Sequence, residues 1–154
     1  MAELTVGAKA PAFSLTSGDG KKYSLKDFAG KKVVLYFYPK DDTSGCTAEA
    51  CSFRDNLAAI KKKGAVVIGV SPDPEKSHQK FSAKYDLNFP LLSDESKAML
   101  TKYGVWQEKS MYGRKYMGVV RTTFIIDEQG KISHIFPKVK VDGHTEEVLK
   151  ALGA

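Results

Sequence analysis

Apolar and polar positions along the chain follow two periods, one typical of strands and one of helices. Val33-Val-Leu-Tyr-Phe-Tyr38 is an unbroken run of β-branched, aromatic and leucine residues, the pattern of a strand buried on both faces, and Pro39 stops it. Downstream, Phe53, Leu57 and Ile60 recur at steps of four and three residues, which predicts one face of a helix with Gly64 as its stop signal. Val66-Val-Ile-Gly-Val-Ser71 reads as a second core strand. Beyond Pro72 and Pro74, Phe81 and Tyr85 predict a helix over 75–85, and Met99, Leu100 and Tyr103 predict another over 94–103. Residues 12–16 and 22–24 flank the turn Ser17-Gly-Asp-Gly20 as a small N-terminal hairpin. Residues 122–127 and 131–136 bracket Glu128-Gln-Gly130 as an antiparallel pair, and a last helix is predicted over 145–152. The order is that of an α/β chain with a mixed sheet flanked by helices. Trp106, Met111, Tyr112, Tyr116 and Met117 obey neither period, and their stretch is expected to be a loop over the core or at the rim of a site.

Composition narrows the picture. With 154 residues, 42% of them hydrophobic, the chain suits one globular domain over 1–154 with a substantial core. No apolar run is long enough to span a membrane, and Met1-Ala-Glu-Leu-Thr5 lacks the regions of a secretory signal. A cytoplasmic location is therefore expected, with a mature organelle form left open. Two cysteines are too few for a disulfide scaffold. His78, His134 and His144 are far apart without metal-ligand spacing, so surface or capping roles are their default reading. The net charge of +6 raises nucleic-acid binding as a rival function, but the lysines scatter over the chain and no aromatic-rich nucleic-acid signature accompanies them. A solvated basic surface explains the charge, with steering of an acidic partner or anionic substrate as its further use.

The chemistry is concentrated in Pro39-Lys-Asp-Asp-Thr43-Ser-Gly45-Cys46-Thr-Ala-Glu-Ala-Cys51, which holds both cysteines at a strand-to-helix junction. Taken only as a pair, they read equally well as small buried hydrophobes. Their context favours reactivity, because unpaired amides and the positive end of the helix dipole stabilise a thiolate at Cys46. Thr43 can aim a hydroxyl at the same pocket or cap the helix, Gly45 lets backbone approach closely, and Pro39 stiffens the loop. Glu49 is read as a first-turn dipole partner and Arg54 as a solvated helix charge. Two Cα atoms five residues apart on an intact helix are about 8.6 Å from each other, whereas a disulfide tolerates at most about 7 Å. If Cys46 and Cys51 ever join, the first turns of the helix must unravel.

The Pro39, Thr43 and Cys46 pattern resembles the active-site signature of peroxiredoxins, and Cys51 five residues on resembles their Q-type, or bacterioferritin comigratory protein, branch. The likeness includes Gly7 to Phe13, Gly69-Val-Ser-Pro-Asp73, Phe89-Pro-Leu-Leu-Ser-Asp94, Trp106 to Lys109 and Arg121-Thr-Thr-Phe-Ile-Ile-Asp127. Phe136 departs from it, standing where this branch often carries tryptophan. The resemblance implies a thioredoxin-like fold, Cys46 as the peroxidatic nucleophile, Cys51 as the resolving cysteine, and Arg121 as the cation that helps hold thiolate and peroxide. It further implies hydrogen peroxide and alkyl hydroperoxides as substrates, thioredoxin or a similar dithiol as reductant, no metal or organic cofactor, and a monomer. Arg121 by itself reads as a surface or ion-paired residue. The nearest rival is a thiol–disulfide oxidoreductase, but such enzymes usually carry Cys-x-x-Cys, a shorter gap than the one here.

Overall fold

The computed structural model describes residues 4–153; residues 1–3 and 154 of the expected unit, including most of the stretch read for a leader, lie outside the described residues. The sheet at its centre grows from the apolar run. Strand β3 (Lys32–Phe37) pairs in parallel with β4 (Ala65–Ser71) and antiparallel with β8 (Thr122–Ile126). β5 (Leu91–Ser93) extends the β4 side in parallel and β9 (Ile132–Phe136) closes the β8 side antiparallel, giving the order β5-β4-β3-β8-β9. Because side chains alternate along a strand, Val33, Leu35 and Phe37 enter one apolar cluster while Val34, Tyr36 and Tyr38 enter another on the opposite face.

Helices α1 (Ser44–Lys62), α2 (Glu75–Tyr85) and α4 (His144–Leu152) supply the second cluster through Ala50, Phe53, Leu57, Ile60, Phe81, Val148 and Leu152. Phe53 and Ile60 are fully buried, each contributing roughly 1.5–3 kcal/mol by leaving water. α1 ends where Gly64 turns to φ +77°, as its sequence position predicts. The first cluster lies under the hairpin of β1 (Ser14–Thr16) and β2 (Lys22–Ser24) and under α3 (Ala98–Lys102). Among the described residues, no helix is long and apolar enough to cross a membrane.

Three expectations change. The helix predicted over 94–103 contracts to Ala98–Lys102, because the buried Asp94 carboxylate instead accepts the Leu100 N–H at 2.8 Å and Lys97 takes φ 64° before the helix begins. Leu91–Ser93, unassigned from its pattern, is a strand. The stretch read as a loop is a hairpin of β6 (Trp106–Met111) and β7 (Arg114–Val119), turned by Tyr112 and Gly113, both with positive φ. Trp106 packs against the first cluster, while Met111, Tyr112, Tyr116 and Met117 are exposed.

Candidate active site

The junction after β3 delivers Cys46 to the interior. Thr43 keeps extended backbone at the N-cap position, and the first helical bond runs from the Thr47 N–H to the Thr43 carbonyl at 2.8 Å. The amides of Ser44, Gly45 and Cys46 precede that bond and have no partner within the helix, so the positive end of α1 falls on the third helical residue, Cys46. The Thr43 hydroxyl does not cap α1. It donates to the Lys40 carbonyl at 2.9 Å, closing the loop on itself, and Pro39 sits half-buried at the loop's start.

Cys46 is 2% exposed, and its Sγ receives Nη2 of Arg121 at 3.3 Å. Arg121 stands just before β8, with its carbonyl held by the Val139 N–H at 2.9 Å. Its Nη1 donates to Oε1 of Glu49 at 2.6 Å. Burial opposes the Arg121 charge, but Glu49 and then Cys46 outweigh it and hold the guanidinium above its ordinary range. Glu49 itself is pushed up to about 7 by burial, against the pull of Arg121. Each partner favours the other's charged form. For the carboxylate, burial governs, because Glu49 is 2% exposed and its Oε2 has no hydrogen-bond partner among the described residues. Gly45 makes room for this cluster, since a Cβ there would lie 3.2 Å from Arg121 Nη2.

Glu49 is thus the sixth residue of α1, past the first turn, and partners Arg121 rather than the helix dipole. A signal for it was present: Cys46, Glu49, Phe53, Leu57 and Ile60 form one buried stripe, and a carboxylate in such a stripe requires a buried partner. Lys109 is a second cation that sequence reasoning left without a role. Its Nζ donates to the Val119 carbonyl at 2.7 Å, and burial lowers its pKa, reinforced by Arg121 and opposed by Cys46. Cys51 lies half-buried farther along α1, and both cysteines are free thiols. Arg54 is not simply solvated: it bonds Asp55 at 2.9 Å and the Tyr85 carbonyl at 2.5 Å, tying α1 to the end of α2.

Two histidines expected at the surface are buried. His144 contacts Thr123 Oγ1 at 2.8 Å and Glu147 at 3.0 Å, and burial lowers its pKa. His78 lies between Asp41 Oδ2 at 2.7 Å and the Leu92 carbonyl at 2.9 Å. Asp41, Asp73 and His78 gather ligand-type atoms within 4.8 Å of one another. Hydrogen bonds account for that grouping, since Asp73 Oδ2 accepts the Asp41 N–H at 2.7 Å and the Ser71 hydroxyl at 2.8 Å.

Comparison with known proteins gives a consistent result. A model of the AhpC/TSA family matches residues 6–135. The chain is 54% identical to a putative peroxiredoxin bcp of Coxiella burnetii over 97% of this chain and 99% of that one. It is 44% identical to peroxiredoxin Bcp of Bacillus subtilis over 97% and 95%. A cysteine-to-serine mutant of PrxQ from Xylella fastidiosa superposes with a TM-score of 0.93 at 35% identity, covering 99% of this chain and 97% of that one. The bacterioferritin comigratory protein of Xanthomonas campestris, described for its alkyl peroxide reduction activity, gives a TM-score of 0.90 at 40% identity, covering 96% and 97%.

Proposed function

The chain belongs to the AhpC/TSA family, and from that membership and the geometry of Cys46 we propose that it is a thioredoxin-dependent, two-cysteine thiol peroxidase acting on hydrogen peroxide and alkyl hydroperoxides. The observation that carries the reading is a buried thiol at the start of α1 with a guanidinium nitrogen 3.3 Å from its sulfur. The Cys46 thiolate attacks the terminal oxygen of the peroxide. The S–O bond forms as the O–O bond breaks, and the departing oxygen takes the electron pair and a proton to leave as water or an alcohol. Cys46 becomes a sulfenic acid. Arg121 and the amides of the first turn donate toward the charge spread over sulfur and both oxygens, and they are in place before the reaction. Thr43 and Pro39 shape the loop that presents these donors.

Resolution follows by opening the first turns of α1. The Cys51 sulfur attacks the Cys46 sulfur, the hydroxyl leaves as water with the Cys51 proton, and the intramolecular disulfide is returned to two thiols by an external dithiol protein, which is itself oxidised. The reading takes the protein as a cytoplasmic monomer with no role in nucleic-acid binding. The scattered lysines of the sequence support that last part.

One equivalent of hydrogen peroxide added to the reduced protein tests the assignment by thiol count and intact mass. Rapid loss of both thiols with a mass two hydrogens lower is expected. Cys46→Ser is expected not to react, and Cys51→Ser to react once and accumulate sulfenic acid, with sulfinic acid formed when a second equivalent of peroxide is added. Thiols that persist as long as those of free cysteine would overturn the reading in favour of disulfide exchange.

A further inference from the structure

The loop between β3 and α1 is gripped from a side that the chemistry does not use. Asp41 is 7% exposed and accepts three side-chain hydrogen bonds: Tyr38 hydroxyl to Oδ1 at 2.6 Å, Ser77 hydroxyl to Oδ2 at 2.7 Å, and His78 Nδ1 at Oδ2 at 2.7 Å. Its backbone N–H donates to Asp73. The opposite ring nitrogen of His78 faces the Leu92 carbonyl, which can only accept, so Nε2 carries a proton. Nδ1 also lies 3.3 Å from the Tyr38 hydroxyl, so both ring nitrogens and both Asp41 oxygens have partners. The next residue, Asp42, takes φ 60° and is hooked to the far end of α2 by Lys84 Nζ at 2.8 Å and the Tyr85 hydroxyl at 2.9 Å. Two successive loop residues are therefore fastened to the two ends of one helix.

None of these groups is bonded to Cys46, Glu49 or Arg121. The dyad ends on a backbone carbonyl, and Asp41 reaches the surface only at the α2 side, in a cleft whose lining does not include Cys46. As a source of stability a buried polar pair is also poor, because desolvation offsets most of its attraction; fixing one conformation is the use that suits it better. Here the conformation fixed is that of residues 41–43, from which α1 departs, with the Thr43 carbonyl receiving its first hydrogen bond. We infer that Asp41 and His78 are positioning residues for the peroxidase reaction: they clamp the loop to α2, keep the Cys46 pocket assembled, and oppose the opening of α1 that disulfide formation requires. The inference rests on the peroxidase reading of Cys46 and Cys51.

The test uses the full chain with both cysteines and the substitution His78→Gln, which can still donate to Leu92 but cannot serve Asp41 as well. Amide hydrogen exchange over 44–51 in the reduced protein is expected to accelerate about tenfold while β3 and β8 keep their protection. With excess peroxide, intact mass should show less sulfinic acid and more disulfide, and the first, sulfenic-forming step should slow. A tenfold gain for the open, disulfide form corresponds to a reduction potential about 30 mV more negative. Ser77→Ala, which removes a single bond to Asp41, should shift each readout in the same direction by about threefold, and it decides the matter if His78→Gln does not fold. Exchange that accelerates equally throughout the chain would reduce the pair to a stability role and overturn the inference. So would an unchanged partition and potential, or a rise in sulfinic acid. If the thiols proved inert to peroxide, the functional reading would fail, while exchange over 44–51 and the potential would still report on the clamp.

Discussion

Two buried polar clusters flank the loop between β3 and α1, and they differ in how their polar atoms are paired. On one side Asp41, His78, Tyr38, Ser77 and Asp73 bond one another, and each of their buried side-chain polar atoms has a partner among the described residues. On the other, Glu49 Oε2 beside Arg121 lacks a partner among the described residues; the second such atom, Tyr36 Oη, sits over Gly69 of β4. Burial, followed by the charges of Glu49, Cys46 and Asp41, holds the Tyr36 phenol well above its ordinary range. A buried polar atom without a partner costs about 1–3 kcal/mol. The closed cluster can therefore only hold its shape. The one around Arg121 sets a guanidinium on a buried sulfur and on a carboxylate, charge that can act on a reacting group.

That contrast is broken most severely at Arg121, which bonds both the Cys46 sulfur and Glu49. In Arg121→Ala the thiolate loses a charge-assisted donor worth about 1.5–3 kcal/mol, so alkylation of Cys46 at fixed pH should slow and the peroxide step should slow by about 10- to 150-fold. Glu49 loses its counter-ion as well. Removing one partner of a buried pair costs about 3–5 kcal/mol unless the other takes up a proton, so chemical denaturation should show the larger loss above pH 7. An unchanged alkylation rate would remove Arg121 from the site.

A smaller effect isolates Glu49. Its folded pKa, about 7, exceeds the ordinary value of 4.5, so the native state binds this proton more tightly than the unfolded chain. The resulting stability is fully present below pH 4.5 and is lost as pH rises through 7, a total of roughly 3 kcal/mol from this group. Glu49→Gln keeps an acceptor for Arg121 and removes the titration. Relative to the parent, its denaturation midpoint should therefore climb between pH 4.5 and 7.5 and then level off. A difference that stays flat over that range would show Glu49 to be ionised throughout.

How much of this was readable in advance follows from where each signal resides. The strand from Val33 and the α1 stripe are local patterns, and they emerged from sequence with the helix start near Cys46. Arg121 has no local mark: its meaning comes from a contact 75 residues away in sequence, and only the family likeness singled it out. His78 reads as a surface residue until β5 and the loop are folded onto it, because its partners are 37 and 14 residues away. The β6–β7 hairpin escaped because much of both its faces is exposed, so neither face is selected for an apolar alternation. Glu49 was the avoidable miss, since a carboxylate within an apolar helical stripe announces a buried partner.

The finest test of the contrast is Gly45→Ala, because it should separate stability from reactivity at a single methyl group. Gly45 lies inside the first turn of α1 without a positive φ, so alanine is conformationally acceptable there and should gain up to about 1 kcal/mol in helix propensity. Its Cβ would stand 3.2 Å from Arg121 Nη2, closer than ordinary contact, and the guanidinium must withdraw by a few tenths of an ångström. A displacement of about 1 Å at a reacting centre costs on the order of 10²-fold, so a few tenths should slow the peroxide step by about two- to fourfold. The expected variant is as stable as the parent or more so, but slower with peroxide, and its 41–43 loop keeps the parent's exchange protection, since no atom of the Asp41 and His78 cluster lies within 4 Å of the added Cβ. Stopped-flow peroxide consumption beside denaturant melts measures both halves. A variant at least as fast as the parent would mean that the Arg121 to Cys46 contact is not the distance that governs attack, and a loosened 41–43 loop would mean that the two clusters are not independent.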